Sequence, residues 1–320
     1  MSLTAAVPTA RPASLIDPKS LMSIRNLELR ARVVVEGFWS GIHRSPHHGF
    51  SVEFSEYRQY APGDDPRYLD WRVFARSDRY FIKRFEDETN LRCHLLVDCS
   101  RSMTFGSLSY TKADYAATLA ATLAQFLYLQ GDAVGLLTFD ERLRDFLPAR
   151  HRTGQLRSLM LALEKPAAGS STDVVGALRR ATETIRKRGL IVLVSDFLAA
   201  LGEVQKHLIS LSACGHDLIL FQVLDPAEAT FNFPHSAMFE DAETGRTFFI
   251  NPGSARTEYL RRLESHCGQL RSLCQHLGMA YSRMSTDRPL ELALFDFLRG
   301  RMQLRHRVRR VVQHSSRSQL

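Results

Sequence analysis

The stretch LRCHLLVDCSRSM, residues 91–103, constrains the fold of this chain more than any other. A run of apolar side chains, Leu95, Leu96 and Val97, stops at Asp98-Cys99-Ser100-Arg101-Ser102. A buried strand here delivers one carboxylate and two hydroxyls to its carboxyl end. Comparable apolar runs follow at 133–139 (AVGLLTF), 189–195, ending at Asp196, 217–225 (DLILFQVLD) and 279–285 (MAYSRMS). Between them the apolar period becomes helical. Tyr115, Leu119, Phe126 and Leu127 recur near helical spacing, Thr111 and Asp114 have the spacing of a capping box, and Gly131 ends the run. Further helices are predicted at 154–164, 174–187, 202–213, 255–277 and from about 289, with a short strand in LRDFLP and a hairpin around 238–250. Strands alternating with helices predict parallel βαβ units, hence an α/β fold with a doubly wound, mostly parallel sheet covered on both faces. Open sheets of this kind bind ligands at the carboxyl ends of their strands.

Composition narrows the class. The 320 residues, 44% hydrophobic and 24% charged, are ordinary for a folded globular chain. No apolar run reaches the roughly 18 to 20 residues that span a bilayer. The first residues, MSLTAAVPTARPASLIDPKS, lack the basic start and apolar block of a secretion signal and read as a flexible leader, so a cytoplasmic location is the expectation. Five scattered cysteines fit a reducing compartment better than a disulfide framework. Cys267 and Cys274, seven apart on a predicted helix, read as small core residues or, with His266 and His276, as zinc ligands; the spacing favours the core.

The net charge of +8 is concentrated at one end. From Arg299 to Leu320 there are seven arginines and no acid, which leaves 35 basic against 34 acidic residues elsewhere. Arg301, Arg305 and Arg309, with Leu298, Leu304, Val308 and Val311, have the pattern of a basic amphipathic helix. Such a tail suits nucleic acid, the surface of a membrane or another anionic partner, and equally a solvated helical end.

Upstream of the first strand lies a polar, aromatic segment carrying Gly41-x-His43-x-Ser45, Gly49, Glu53-Phe54, Tyr57-Arg58-x-Tyr60, Pro62-Gly63-Asp64-Asp65-x-Arg67, Asp70-Trp71, Ala75-Arg76, Lys83 and Glu86. In this order, and followed at once by Asp98-x-Ser100-x-Ser102, the segment resembles the domain-of-unknown-function 58 family over roughly residues 38–200. The resemblance implies a von Willebrand factor A-like domain preceded by a family-specific N-terminal segment. It divides the chain into a leader (1–22), the family-specific segment (23–90), the A-like domain (91–298) and the basic tail (299–320). It also implies companionship with a MoxR-type AAA+ ATPase. Many members of that family carry transmembrane helices before the motif, whereas this sequence has no such run there.

The same resemblance gives the strand-end residues a role. In the A-domain pattern of a metal-ion-dependent adhesion site, Ser100, Ser102 and Thr172 would contact a divalent ion, while Asp98 and Asp196 would bind it directly or through shared water. Mg²⁺ or Mn²⁺ suits such oxygen donors. With neutral hydroxyls in the first shell the ion's charge is only partly compensated, so an open position favours a carboxylate from a client protein. His43, Asp64, Asp65 and Asp70 are expected to shape access to the site or to form a locally paired surface turn. Each site residue has a plainer reading on its own: Thr172 and Asp173 as helix caps, Ser100 and Ser102 as turn hydroxyls, Asp196 as a strand end.

Two other function classes are open to these residues. A metal-dependent phosphatase-like enzyme also begins with an apolar strand ending in a nucleophilic Asp, but it needs a second carboxylate two residues later, where this chain has Ser100. Neither a Gly-x-Ser-x-Gly elbow nor a Walker A loop occurs in the sequence. Binding of nucleic acid or membrane through the arginine tail is the third class. The expectation is therefore a non-enzymatic, metal-dependent interaction protein.

Overall fold

The computed structural model describes residues 15–43, 56–59, 81–84, 91–167, 173–198, 201–233, 235–241 and 245–301. The chain divides into two compact units, one of residues 1–41 with 91–320 and one of residues 42–90. Beyond residue 43 the described residues of the smaller unit form two short antiparallel strands, β1 (Glu56–Gln59) and β2 (Phe81–Arg84), with Tyr57 opposite Lys83.

The larger unit begins with two helices, α1 (Pro18–Met22) and α2 (Leu27–His43). It continues through β3 (Arg92–Asp98), α3 (Lys112–Leu129), β4 (Ala133–Phe139), β5 (Leu143–Arg150), α4 (Gln155–Leu163), α5 (Val174–Thr184) and β6 (Leu190–Ser195). Then come α6 (Leu201–Ala213), β7 (Asp217–Leu224), α7 (Pro226–Thr230), the hairpin β8 (Ala237–Glu240) and β9 (Thr247–Ile250), α8 (Pro252–Leu277), β10 (Ala280–Ser285) and α9 over 290–301. Residues 15–22, read from the sequence as leader, hold α1: Asp17 caps it, Leu21 is buried, and the Ile16 N–H donates to Glu291 Oε1 at 3.0 Å.

Six strands form one sheet in the order β10-β7-β6-β3-β4-β5, all parallel except β5, which runs antiparallel along β4. This is the doubly wound, mostly parallel α/β sheet expected from the alternating runs. Both faces of the central strands are covered, which is why their sequences are continuously apolar rather than alternating. Leu96, Leu193 and Leu220 belong to one core cluster with Leu178 of α5, Leu208 of α6 and Leu270 of α8. Leu95 and Val97, alternate along β3, are equally buried. Phe126 of α3 meets Phe38 of α2 and Phe297 of α9 edge-on. The start of α3 is the anticipated capping box, with Asp114 doing the work usually given to Glu or Gln.

The chain order places the crevice. From β3 the sequence proceeds to β4 on one side, and returns as β6 on the other, so the winding reverses between β3 and β6. Asp98 ends β3, and Asp196 follows the last residue of β6, so both carboxylates stand at this switch point. The β5 edge carries Arg144, Asp145, Pro148 and Arg150, with Lys165 paired to Asp145 and Arg144 to Asp140. Charges and a proline on an edge strand discourage further strand pairing.

His94 sits in the middle of β3, opposite Gly135 and Ile191, and is buried. Burial, reinforced by the charges of His216 and Arg92, pushes its imidazole down to about 4 from 6.5. The folded state thus holds His94 neutral where the unfolded chain would protonate it. The associated stability is fully present above pH 6.5 and is lost as pH falls toward about 4, by up to about 3 kcal/mol. Urea titrations across that interval should show His94→Gln with a shallower acid loss than wild type; parallel curves would remove His94 as the source.

Candidate metal centre

At the end of β3 the chain turns sharply. The Cys99 N–H donates to the Phe139 carbonyl at 2.7 Å, keeping the strand end against β4, and Ser100 enters a short 3₁₀ turn, Arg101–Thr104. Asp98 is fully buried. One of its oxygens accepts from the Ser100 N–H at 2.9 Å, and the other from the Ser195 hydroxyl at 2.6 Å. The Ser195 hydroxyl in turn accepts from the Phe197 N–H at 3.1 Å, so the ends of β3 and β6 are pinned to each other through side chains.

The two hydroxyls of Ser100 and Ser102 lie 3.1 Å apart. Adjacent ligands on an octahedron with metal–oxygen distances of about 2.1 Å stand about 3 Å apart, so this pair has the spacing of one octahedral edge. Burial pushes Asp98 above the usual carboxylate range, and the nearby charge of Asp196 adds to the effect, while the hydrogen bonds from Ser195 and Ser100 oppose it. Hydroxyl pair and carboxylate together fit a hard divalent ion. Among the described residues no three His, Cys, Asp or Glu side chains group as a metal cage.

Asp196 is held differently from Asp98. Its Oδ2 accepts from the Lys112 ammonium at 2.9 Å and its Oδ1 from the Leu198 N–H at 3.2 Å. The same ammonium reaches Glu228 Oε1 at 2.7 Å. Lys112 is the first residue of α3, an unfavourable place for a cation in the field of the helix, and its side chain is wholly buried. Burial alone would lower its affinity for the proton, but Asp196 and Glu228 more than offset this and raise it. Glu228 belongs to a capping box with Asp225, whose carboxylate also takes the N–H and hydroxyl of Ser107, at 2.8 and 2.6 Å. One buried cation thereby joins the ends of β6 and β7 to the start of α3.

Immediately after Asp196, Phe197 adopts φ 52, a left-handed conformation that a bulky side chain rarely takes. Its carbonyl lies 2.6 Å from His266 Nε2, and the Asp196 carbonyl accepts from Gln222 Nε2 at 2.9 Å, with Tyr281 donating to Gln222 at 2.6 Å. The strained residue is thus tied down on both sides.

The family described as "Protein of unknown function DUF58" matches residues 56–268, more than half of the chain. The chain belongs to that family. An uncharacterised protein of Mycobacterium tuberculosis, Rv1480, is 29% identical over 289 residues, covering 88% of this chain and 89% of its own length; Mb1516 of Mycobacterium bovis is identical to the same degree. Among solved structures, the conserved hypothetical protein BatB from Bacteroides thetaiotaomicron is similar with a TM-score of 0.45 and 15% identity over 66% of this chain and 99% of that one. The SpRpn10 VWA domain is similar with a TM-score of 0.36 and 12% identity over 63% of this chain and 92% of that one.

Of the residues singled out from the sequence, Asp98, Ser100, Ser102 and Asp196 share the carboxyl edge of the sheet at the switch point. Thr172 lies outside the described residues. Its neighbour Asp173 donates its N–H to the Asp140 carbonyl at 2.7 Å, just beyond β4, and caps α5 through Gly176 N. Asp64, Asp65, Asp70, Arg305 and Arg309 also fall outside, as does the side chain of His43. Arg301 lies 3.5 Å from Asp132, which precedes β4 at the opposite end of the sheet. Cys267 and Cys274 are buried free thiols, and His266 faces the Phe197 carbonyl, so these residues serve the core. Among the described residues no helix is long and apolar enough to cross a membrane.

Lys112, Glu228 and Ser195 also shape this edge of the sheet, and no local sequence pattern points to them. Replacing Lys112 with Met would strand two buried carboxylates, and breaking a buried pair in this way costs about 3 to 5 kcal/mol. Urea unfolding should register that loss for Lys112→Met and partial recovery in Lys112→Met/Glu228→Leu, which leaves one unpaired acid instead of two. A double variant no better than the single would mean that Glu228 and Lys112 are not energetically linked.

Proposed function

We propose that this chain is a non-enzymatic interaction module that binds a protein partner through a divalent cation. Ser100, Ser102 and Thr172 would hold Mg²⁺ or Mn²⁺ directly, with Asp98 and Asp196 binding directly or through water. The observation that carries this reading is the 3.1 Å hydroxyl pair beside a fully buried Asp98 at the switch point of the sheet. When bound, the ion would supply an electrophilic position for an incoming carboxylate.

The protein's own groups divide the remaining work. Ser195 and the Ser100 N–H orient Asp98, so its carboxylate cannot rotate without losing two hydrogen bonds. Lys112 neutralises Asp196 from behind, which keeps the protein's contribution to the site weakly anionic and leaves charge on the ion for the partner's Asp or Glu. A phosphoryl-transfer role lacks support here: the residue two positions after Asp98 is a serine, where that chemistry needs a second carboxylate. By the family resemblance, the client would be remodelled by a MoxR-type AAA+ ATPase working with this chain as its adaptor.

Titration calorimetry with Mn²⁺ should give a single site in wild type that is lost in Asp98→Ala and weakened about tenfold or more in Ser100→Ala. Unchanged affinity in the folded Asp98→Ala protein would sink the assignment. Pull-down of a AAA+ ATPase by wild type but by neither Asp98→Ala nor EDTA-treated protein would establish the adaptor role. Retention after EDTA would detach that partnership from the metal.

A further inference from the structure

The positive charge of the tail continues onto the folded body, at the end of the sheet opposite the metal centre. The parallel strands begin there: β3 with the exposed Arg92, level with Ala133 of β4, and β6 directly after Arg186, Lys187 and Arg188, all exposed. The antiparallel β5 ends there instead, with Arg150 opposite Val134, so the exposed Arg150 and Arg152 join the same end. The last turn of α9 brings the exposed Arg299, and Arg301 lies 3.5 Å from Asp132 beside the start of β4. From β5 to β6 these cations cross three strand spacings, about 14 Å.

Little offsets them. Among the described residues the carboxylates at the strand starts are Asp132, paired with Arg301, and the half-buried Asp217. None of the seven exposed cations forms an ion pair with a described residue. Residues 44–90 carry nine acidic against eight basic side chains, so that segment is close to neutral and leaves the excess standing. Beyond Arg301 the sequence adds five arginines and no acid. Unpaired like charges on a rigid frame raise the local potential for anions. The surface is also partly apolar: Leu129, at the end of α3, is 60% exposed, and its neighbour Tyr128 donates its hydroxyl to the Arg152 carbonyl at 3.3 Å. Rings for base stacking are elsewhere, since the exposed aromatic side chains among the described residues are Phe105 in the metal loop and Phe248 and Phe249 of the β8–β9 hairpin. The cations stand mostly on strand ends and short turns, not along a helix or ribbon shaped for a nucleic-acid groove.

We propose that the amino end of the sheet docks on an anionic membrane surface, its arginines and Lys187 meeting lipid phosphates while Leu129 reaches the apolar boundary beneath them. The basic amphipathic pattern of Leu298, Leu304, Val308 and Val311 with Arg301, Arg305 and Arg309 continues from this same end, so body and tail would bind one surface. Docked in this way, the chain turns the Asp98–Ser100–Ser102 edge toward water, where a protein partner can reach it. The inference stands independently of whether that edge holds a metal ion.

Co-sedimentation of the full chain with phosphatidylcholine vesicles, with or without phosphatidylglycerol, tests the proposal. The chain is compared with three variants that lose equal charge: Arg150→Gln/Arg152→Gln/Arg186→Gln/Lys187→Gln at this surface, Arg142→Gln/Arg256→Gln/Arg261→Gln/Arg262→Gln away from it, and Arg305→Gln/Arg307→Gln/Arg309→Gln/Arg310→Gln in the tail. Wild type should sediment with the anionic vesicles at about 0.05 M salt, leave them at about 0.5 M and ignore phosphatidylcholine alone. Each basic side chain near such a surface contributes roughly fivefold, so the surface variant should bind at least about tenfold more weakly while unfolding in urea like wild type. The second variant should match wild type, and the tail variant should keep salt-sensitive binding through the folded surface. Equal losses in the first two variants would reduce the effect to net charge and overturn the proposal. So would wild-type binding by the surface variant, or loss in the tail variant alone. A labelled DNA strand or duplex held more tightly than the vesicles at the same salt, and released by the surface variant, would make nucleic acid the ligand instead. New protease cleavage within residues 44–90 of the surface variant, without lipid, would show that these cations hold the chain's own segment and would refute a free surface.

Discussion

A single buried ammonium, that of Lys112, holds the carboxyl edge of this sheet together. Lys112 bridges Asp196 at the end of β6 and Glu228 in α7, just after β7, from the first turn of α3. Two desolvated carboxylates approaching one another would repel; with the lysine between them they become a fixed joint. The capping box of α7 and the bonds from Ser107 to Asp225 extend that joint across the mouth of the crevice. What would otherwise be loops free to adapt is a frame with few alternative arrangements, and the serine hydroxyls can therefore stand at a preset spacing.

Much of the architecture is legible in the sequence because parallel strands buried on both faces must be continuously apolar. The runs at 133–139 and 217–225 coincide with β4 and β7 almost residue for residue. Asp98, Ser100 and Ser102 are legible because three polar groups at the end of such a run have few structural reasons to cluster. Lys112 is not, since a lysine opening an amphipathic helix looks like any solvated charge, and its partners lie 84 and 116 residues away. Ser195 hides for a related reason: at the tail of an apolar strand, nothing local separates a hydroxyl that orients Asp98 from one that merely ends the strand. The helix at Pro18–Met22 is too short to show a period, and only its burial against the body reveals it.

Strain and satisfaction are distributed unevenly around the crevice. Phe197 holds an uncommon backbone conformation next to Asp196, yet its N–H is bonded and its carbonyl faces His266. Gln222 and Tyr281 brace the Asp196 carbonyl from the neighbouring strands. The conformational cost at one residue is thus borne by contacts from β6, β7, β10 and α8, which is how a local irregularity persists in a cooperative fold.

The edge of the sheet at β5 is guarded by charges and a proline, while the hairpin offers bare aromatic surface but only four residues per strand. A molecule built in this way can be adhesive without being polymerising: its main-chain hydrogen-bonding groups are withheld at the long edge, and what it offers is side-chain surface on a short platform. Bare side-chain surface on so short a platform differs from an open strand edge, and it need not lead to edge-to-edge aggregation.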